Sequence, residues 1–215
     1  MKPPNLQLIA ALTAGDESTR LKAALTIGSN PEPGLVEALI ARCAIEPDFY
    51  VRDMLTWALI RLPSTITVPR LLAELRSERA QARSQALHTL SKIGDASAWP
   101  AITRTLLRDS DDEVARSAWR AAVALVPDGQ RQDLAEELAA LLGRGDREVQ
   151  LSLSRALVAL GAQAIEPILH EAMASNDRGV QAHATATERL LRNQDAGSEL
   201  AVNAAKRLFA LSKER

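Results

Sequence analysis

Small and apolar side chains recur along this chain with the spacing of one helix face, and the helix that carries them recurs as well. In the segment that starts at Asp48, the residues Val51, Leu55, Ala58, Leu59 and Leu62 stand at offsets 0, 4, 7, 8 and 11 from Val51. Val149, Leu153, Ala156, Leu157 and Leu160 repeat the pattern after Asp146. At 3.6 residues per turn each set forms a single stripe that must face a core. Six such segments start at Asp16, Asp48, Arg79, Asp111, Asp146 and Asp177, and three residues into them stand Thr19, Val51, Ala82, Val114, Val149 and Val180. A period of 31–35 residues is the mark of stacked helical hairpins, each unable to bury its own apolar stripe alone. Asp48, Asp111, Asp146 and Asp177 suit helix starts, where a carboxylate accepts otherwise unpaired backbone N–H groups.

The intervening stretches supply the first helix of each hairpin, expected at 5–14, 34–45, 68–76, 98–108, 131–142 and 165–175. Pro69, Pro100 and Pro167 are read as first-turn residues, where a missing N–H costs nothing. Runs such as NPEPG, IGDAS, VPDG and GRGD are the turns between helices. Arg144-Gly145-Asp146 is then a loop and a helix cap rather than an adhesion motif. The stretch GSELAVNAAKRLFALSK reads as one more amphipathic helix, about 197–213, covering the last apolar face. The expected fold is one all-α, right-handed α-solenoid domain over 1–215, of about six hairpins plus this capping helix.

Composition agrees with helix. The chain is 47% hydrophobic but only 3% aromatic, and Ala and Leu, both good helix formers, dominate. Lys and Arg number 26 against 27 Asp and Glu, for a net charge of −1. The basic excess of a dedicated nucleic-acid binder is missing. Cys43 is the only cysteine, which excludes an intramolecular disulfide framework and reads as a buried thiol. The opening MKPPNLQLIAALTAGDE looks like neither a secretory signal nor an anchor, so a reducing cytoplasm is the expected compartment.

Candidate chemistry lies opposite the core stripe. Counting two, six and nine residues from the Val position gives Asp53, Trp57 and Ile60, then Ser84, His88 and Ser91, and then Arg116, Arg120 and Val123. The fifth segment gives Leu151, Arg155 and Val158, and the sixth Ala182, Ala186 and Arg189. Trp57, His88, Arg116, Arg120, Arg155 and Arg189 form the candidate binding surface, since Trp and Arg are enriched among interface hot spots and Arg grips carboxylates. Trp119 is expected to pack between helices and Trp99 at a turn. His88, His170 and His183 lie in separate helices without metal-ligand spacing, and the chain has no Gly-rich phosphate loop, nucleophile elbow or CxxC. No catalytic residue, metal or cofactor is expected.

Proline in the first helix, then Asp, Val-Arg and an Ala/Leu stripe resembles the HEAT repeat, closest to the short bacterial form named after phycobilin lyases. The resemblance runs from about Asn5 to Leu191. The Arg that follows the Val position stands at Arg20, Arg52 and Arg83 and is replaced by Ala115, Gln150 and Gln181. The chain also resembles the HEAT segment of some MerR-type regulators, though no helix-turn-helix region precedes it here. The resemblance implies that second helices line a concave surface and that the chain is a non-catalytic scaffold for a protein or peptide partner, and the row of arginines suits a partner of acidic character. The alternative is a nucleic-acid binder or a helical-repeat DNA glycosylase, with Asp53 and Trp57 one turn apart. A phycobilin-lyase activity would follow from the family resemblance alone.

Overall fold

Asp16 begins the first second helix as its sequence demands: its carboxylate accepts the N–H of Thr19 at 2.8 Å and opens α2, Glu17–Ser29. The same device recurs. Asp48 accepts from Val51 and opens α4 (Phe49–Ile60), Asp111 accepts from Glu113 and Val114 and opens α8 (Asp112–Leu125), and Asp146 opens α10 (Arg147–Ala159) by bonding Glu148 and Val149. Asp177 accepts from Gly179 and Val180 at the head of α12, 178–193. Among the described second helices only α6 (Ala80–Ile93) lacks a side-chain cap, at Arg79, and it closes on Gly94, whose φ of 70° places it in the left-handed region that glycine tolerates.

The computed structural model describes residues 3–193 and is all helix among them, with no strand. The expected capping helix at 197–213 lies outside the described residues. First helices are α1 (Pro3–Leu12), α3 (Val36–Cys43), α5 (Ser64–Glu74), α7 (Arg104–Leu107), α9 (Arg131–Ala139) and α11 (Ala162–Met173). The chain resolves into two compact units, 1–128 and 129–215. Among the described residues the first holds α1–α8 and the second α9–α12. No described helix is long and apolar enough to cross a membrane.

The core is the predicted stripe. Val51, Leu55, Ala58, Leu59, Leu62, Val114, Val149, Leu153, Ala156, Leu157 and Leu160 are all buried, as is Cys43, whose thiol burial pushes up to about 12. Trp119 is fully buried, and its ring N–H donates to the Leu107 carbonyl at 2.9 Å, pinning α8 to α7.

Proline placement differs from the reading above. Pro69 and Pro167 are each the sixth residue of their helix, because α5 starts at Ser64 and α11 at Ala162. Each forfeits one internal hydrogen bond, and burial of neighbours such as Val68, Leu71, Ile165 and Leu169 keeps both helices intact. The helix expected at 98–108 is broken. Pro100 lies in a 3-10 turn, Ala96–Ala101, and Thr103 then recaps the four-residue α7.

The arginine after the Val position clamps its own loop. Arg20 Nη1 donates to the carbonyls of Ala14 and Gly15, Arg52 to Glu46 and Pro47, and Arg83 to Ser77 and Glu78. Gln150 keeps a weaker version, bonding the carbonyls of Gly143 and Gly145 at 3.4 and 3.3 Å. Two of these arginines also reach the next repeat. Arg20 forms a two-pronged pair with the fully buried Glu46, at 2.8 and 2.9 Å, and Arg83 does so with Asp109, at 3.0 and 3.1 Å. Glu46 and Asp109 stand two residues before Asp48 and Asp111, and the equivalent residue before Arg79 is Ser77. Arg52 therefore has no such partner. The second and third repeats meet instead through Gln81, which donates to the carbonyls of Cys43 and Glu46.

Candidate binding site

That missing ionic rung coincides with an opening. In the first unit α2 packs along α4 and α6 along α8, while α4 and α6 touch over a much shorter stretch. A cleft of about 210 Å³ lies there, walled by Asp53 of α4, Gln85 and His88 of α6, and Glu113 and Arg120 of α8. Its floor includes Thr56, Ser84 and Ser117. On the other side of α4 a more apolar groove of about 450 Å³ is lined by Leu21 and Leu25 of α2 and by Tyr50, Val51 and Met54 of α4. Asp53 lines both.

The floor of the cleft is a chain of hydroxyls. Arg120 Nη2 donates to Ser117 Oγ at 2.9 Å, and Ser117 Oγ lies 3.1 Å from Ser84 Oγ. One contact between two hydroxyls uses one hydrogen, so the serine pair retains another. The Thr56 hydroxyl has no partner at all, although the residue is only 4% exposed. Such a group is costly to leave unsatisfied.

Charge in the cleft is balanced. Glu113 pairs with Arg116 at 2.7 Å. Burial, and then the positive charge of Arg116, lower the Arg120 pKa from the ordinary arginine range, with Glu113 acting the other way. It remains a cation at any physiological pH. His88 is held below the usual histidine range first by burial and then by Arg120 and Lys92, against the opposing pull of Asp53. It is a neutral imidazole between a carboxylate wall and a guanidinium wall.

Of the sequence-predicted residues, the structure brings His88 and Arg120 into one cleft, with Arg116 beside them on Glu113. Trp57 is elsewhere: its half-buried ring packs on Gly28 of α2 and carries the Arg61 guanidinium 5.5 Å from its centroid. It is a packing residue as much as a surface one. Arg155 and Arg189 are exposed on α10 and α12 of the second unit. Two positions expected to face outward, Ser84 and Val158, are buried. Ser84 is covered because it meets Ser117 across two adjacent helices.

Thr56, Ser117 and the apolar groove went unread in the sequence. The groove had a signal: counting two and six residues from Thr19, as in the other repeats, lands on Leu21 and Leu25.

The HEAT-repeat family matches residues 36–124, the stretch that holds α3–α8 and the whole cleft. That stretch carries HEAT repeats. The array also superposes on a chain of the complex of CpcE and CpcF of phycocyanin lyase from Nostoc sp. PCC7120, with a TM-score of 0.50 and 24% identity over 86% of this chain and 75% of that one. At that identity the likeness concerns the fold. No curated protein matches the chain. In HEAT architecture the stacking residues dominate the sequence, and fold alone does not assign a function.

Proposed function

We propose that the protein is a non-catalytic scaffold that binds a segment of a partner protein across its second helices. The observation that carries this reading is a patch of uncovered apolar side chains beside a polar cleft. Tyr50 is 71% exposed and Phe49 65%, stacked edge to face with ring centroids 5.6 Å apart, and the exposed Leu25 lines the groove with Tyr50. Large aromatics with no cover are enriched where proteins meet. A groove fixed by neighbouring helices offers that segment a preorganised surface.

The candidate residues of the first unit are His88, Arg116 and Arg120 with Trp57 at the margin, and Arg155 and Arg189 are separate candidates on the second unit. A phosphate backbone is a poorer guest, because Arg52 and Arg120 in the cleft are matched by Asp53 and Glu113. The compartment we assign is the reducing cytoplasm.

Site-specific photo-crosslinkers test the reading. Placed at Tyr50 or Gln85 they should capture a partner polypeptide in the native cell, and at Arg70, exposed on α5, they should not. Capture from Arg70 alone would move the site to the first-helix layer and end the proposal.

A further inference from the structure

Four groups on this face lack what their chemistry calls for. Asp53 makes no hydrogen bond or ion pair among the described residues, and Arg120 bonds only the Ser117 hydroxyl. The Thr56 hydroxyl has no partner. The apolar groove between α2 and α4 stands open beside Asp53. These groups are arranged in order. Arg120 is on α8, Thr56 and Asp53 are on α4, and the groove lies toward α2.

We propose that the face reads an extended segment of a partner protein by charge order: an acidic side chain at Arg120, a basic one at Asp53, and an apolar one in the groove beyond. This rests on the partner-binding reading above. Between the two charged positions Thr56, Gln85, neutral His88 and the spare serine hydrogen offer donors and acceptors without net charge, which suits the amides of a main chain. Helices pack at about 8–10 Å, so the axes of α4 and α8, with α6 between them, lie roughly 16–20 Å apart, and Asp53 and Arg120 reach into one cleft from either side. An extended chain crosses from one charged side chain to the other within about five or six residues. The apolar residue follows the basic one by about one or two positions, since Asp53 lines cleft and groove alike.

Neither charged residue holds the fold together. Asp53 is exposed and unbonded, and Arg120 contributes a single hydrogen bond. The pair can therefore be exchanged. A display library of random linear peptides is selected against the wild-type chain and against the double variant Asp53→Lys, Arg120→Glu, with melting curves confirming that both are folded. The wild type should enrich the order acidic, basic, apolar at the stated spacing, and the double variant should enrich basic, acidic, apolar. Thr56→Val should weaken the wild-type winners about threefold to tenfold, the loss expected for one hydrogen bond, while leaving the melting curve unchanged or raised.

Enrichment of the same peptides on both proteins, or of uniformly acidic ones, overturns the charge order. Failure of either protein to enrich any peptide overturns it as well. In each case the crosslinks from Tyr50 and Gln85 report separately on whether a partner binds this face, so the broader reading can survive the loss of the narrower one.

Discussion

Gly28 of α2 and Trp57 of α4 share one space: a β-carbon on Gly28 would overlap the far edge of the indole ring. The absence of a side chain at one position is what lets the largest side chain lie down at the other. Gly28→Ala should therefore destabilise the first unit by about 1–3 kcal/mol or more, the usual cost of overpacking. Trp57→Leu added to it should recover most of the loss. Denaturant melts of the two single variants and the double variant give the coupling directly, and simple additivity would show that the ring does not need the glycine.

Arginines here sort by burial rather than by position in the repeat. Arg20→Ala should cost about 3–5 kcal/mol, because it leaves the fully buried Glu46 carboxylate short of its two-pronged partner. Arg155→Ala, at an exposed position, should stay within about ±0.5 kcal/mol. Equal losses in chemical denaturation would mean that Arg155 holds a structural contact.

Glu46 should make the first unit sensitive to strong acid. Burial on its own would raise its pKa. Hydrogen bonds from Arg20 and Arg42 and from the N–H of Asp48 overcome that and hold it at about 2 instead of 4.5. A depressed carboxylate stabilises the fold above its unfolded pKa, and that stability is lost as pH falls from about 4.5 toward 2. The amount is on the order of 3 kcal/mol. Glu46→Gln should lower stability at neutral pH and flatten this part of the pH profile. An unchanged slope between those values would refute the assignment.

His183 should govern milder acid in the second unit. Its Nδ1 accepts the N–H of Gly143 at 3.0 Å, so the proton sits on Nε2, which donates to the Gln150 carbonyl at 2.9 Å. Burial lowers its pKa below the usual histidine value, with the Gln150 bond pulling the other way. The unfolded chain then takes up the proton first. Stability is complete above about pH 6.5 and declines as pH falls below it. His88, shifted in the same direction, adds to this trend. Thermal melts at pH 7.5 and 5.5 should show the drop, and His183→Gln should be less stable at the higher pH but lose part of the difference between the two. A variant that kept the full wild-type difference would exclude His183 as its source.

What could be read in the sequence was local and repeated. The aspartates at helix starts and the stripe from Val51 to Leu62 act within one or two turns, and six copies made them visible. The cleft was not legible, because it depends on Ser77 standing where Glu46 and Asp109 stand in adjoining repeats, and on how far α4 and α6 part as a result. Trp57 shows the limit of counting offsets. An offset fixes where a Cα–Cβ bond points, but the ring turned toward a glycine on another helix. Pro69 and Pro167 misled for a related reason: burial of the surrounding face tolerated a missing hydrogen bond inside α5 and α11 that an isolated helix would not.

The alternation of ionic rungs has a mechanical consequence for the first unit. Arg20–Glu46 rivets the first repeat to the second and Arg83–Asp109 rivets the third to the fourth, so the seam between α4 and α6 is the softest link in a row of springs. Load applied along the row would be taken up there first, as a change in spacing rather than as unfolding. Anything lodged across that seam would act as a splint, and the tension on the array and the grip on such a guest would become one variable.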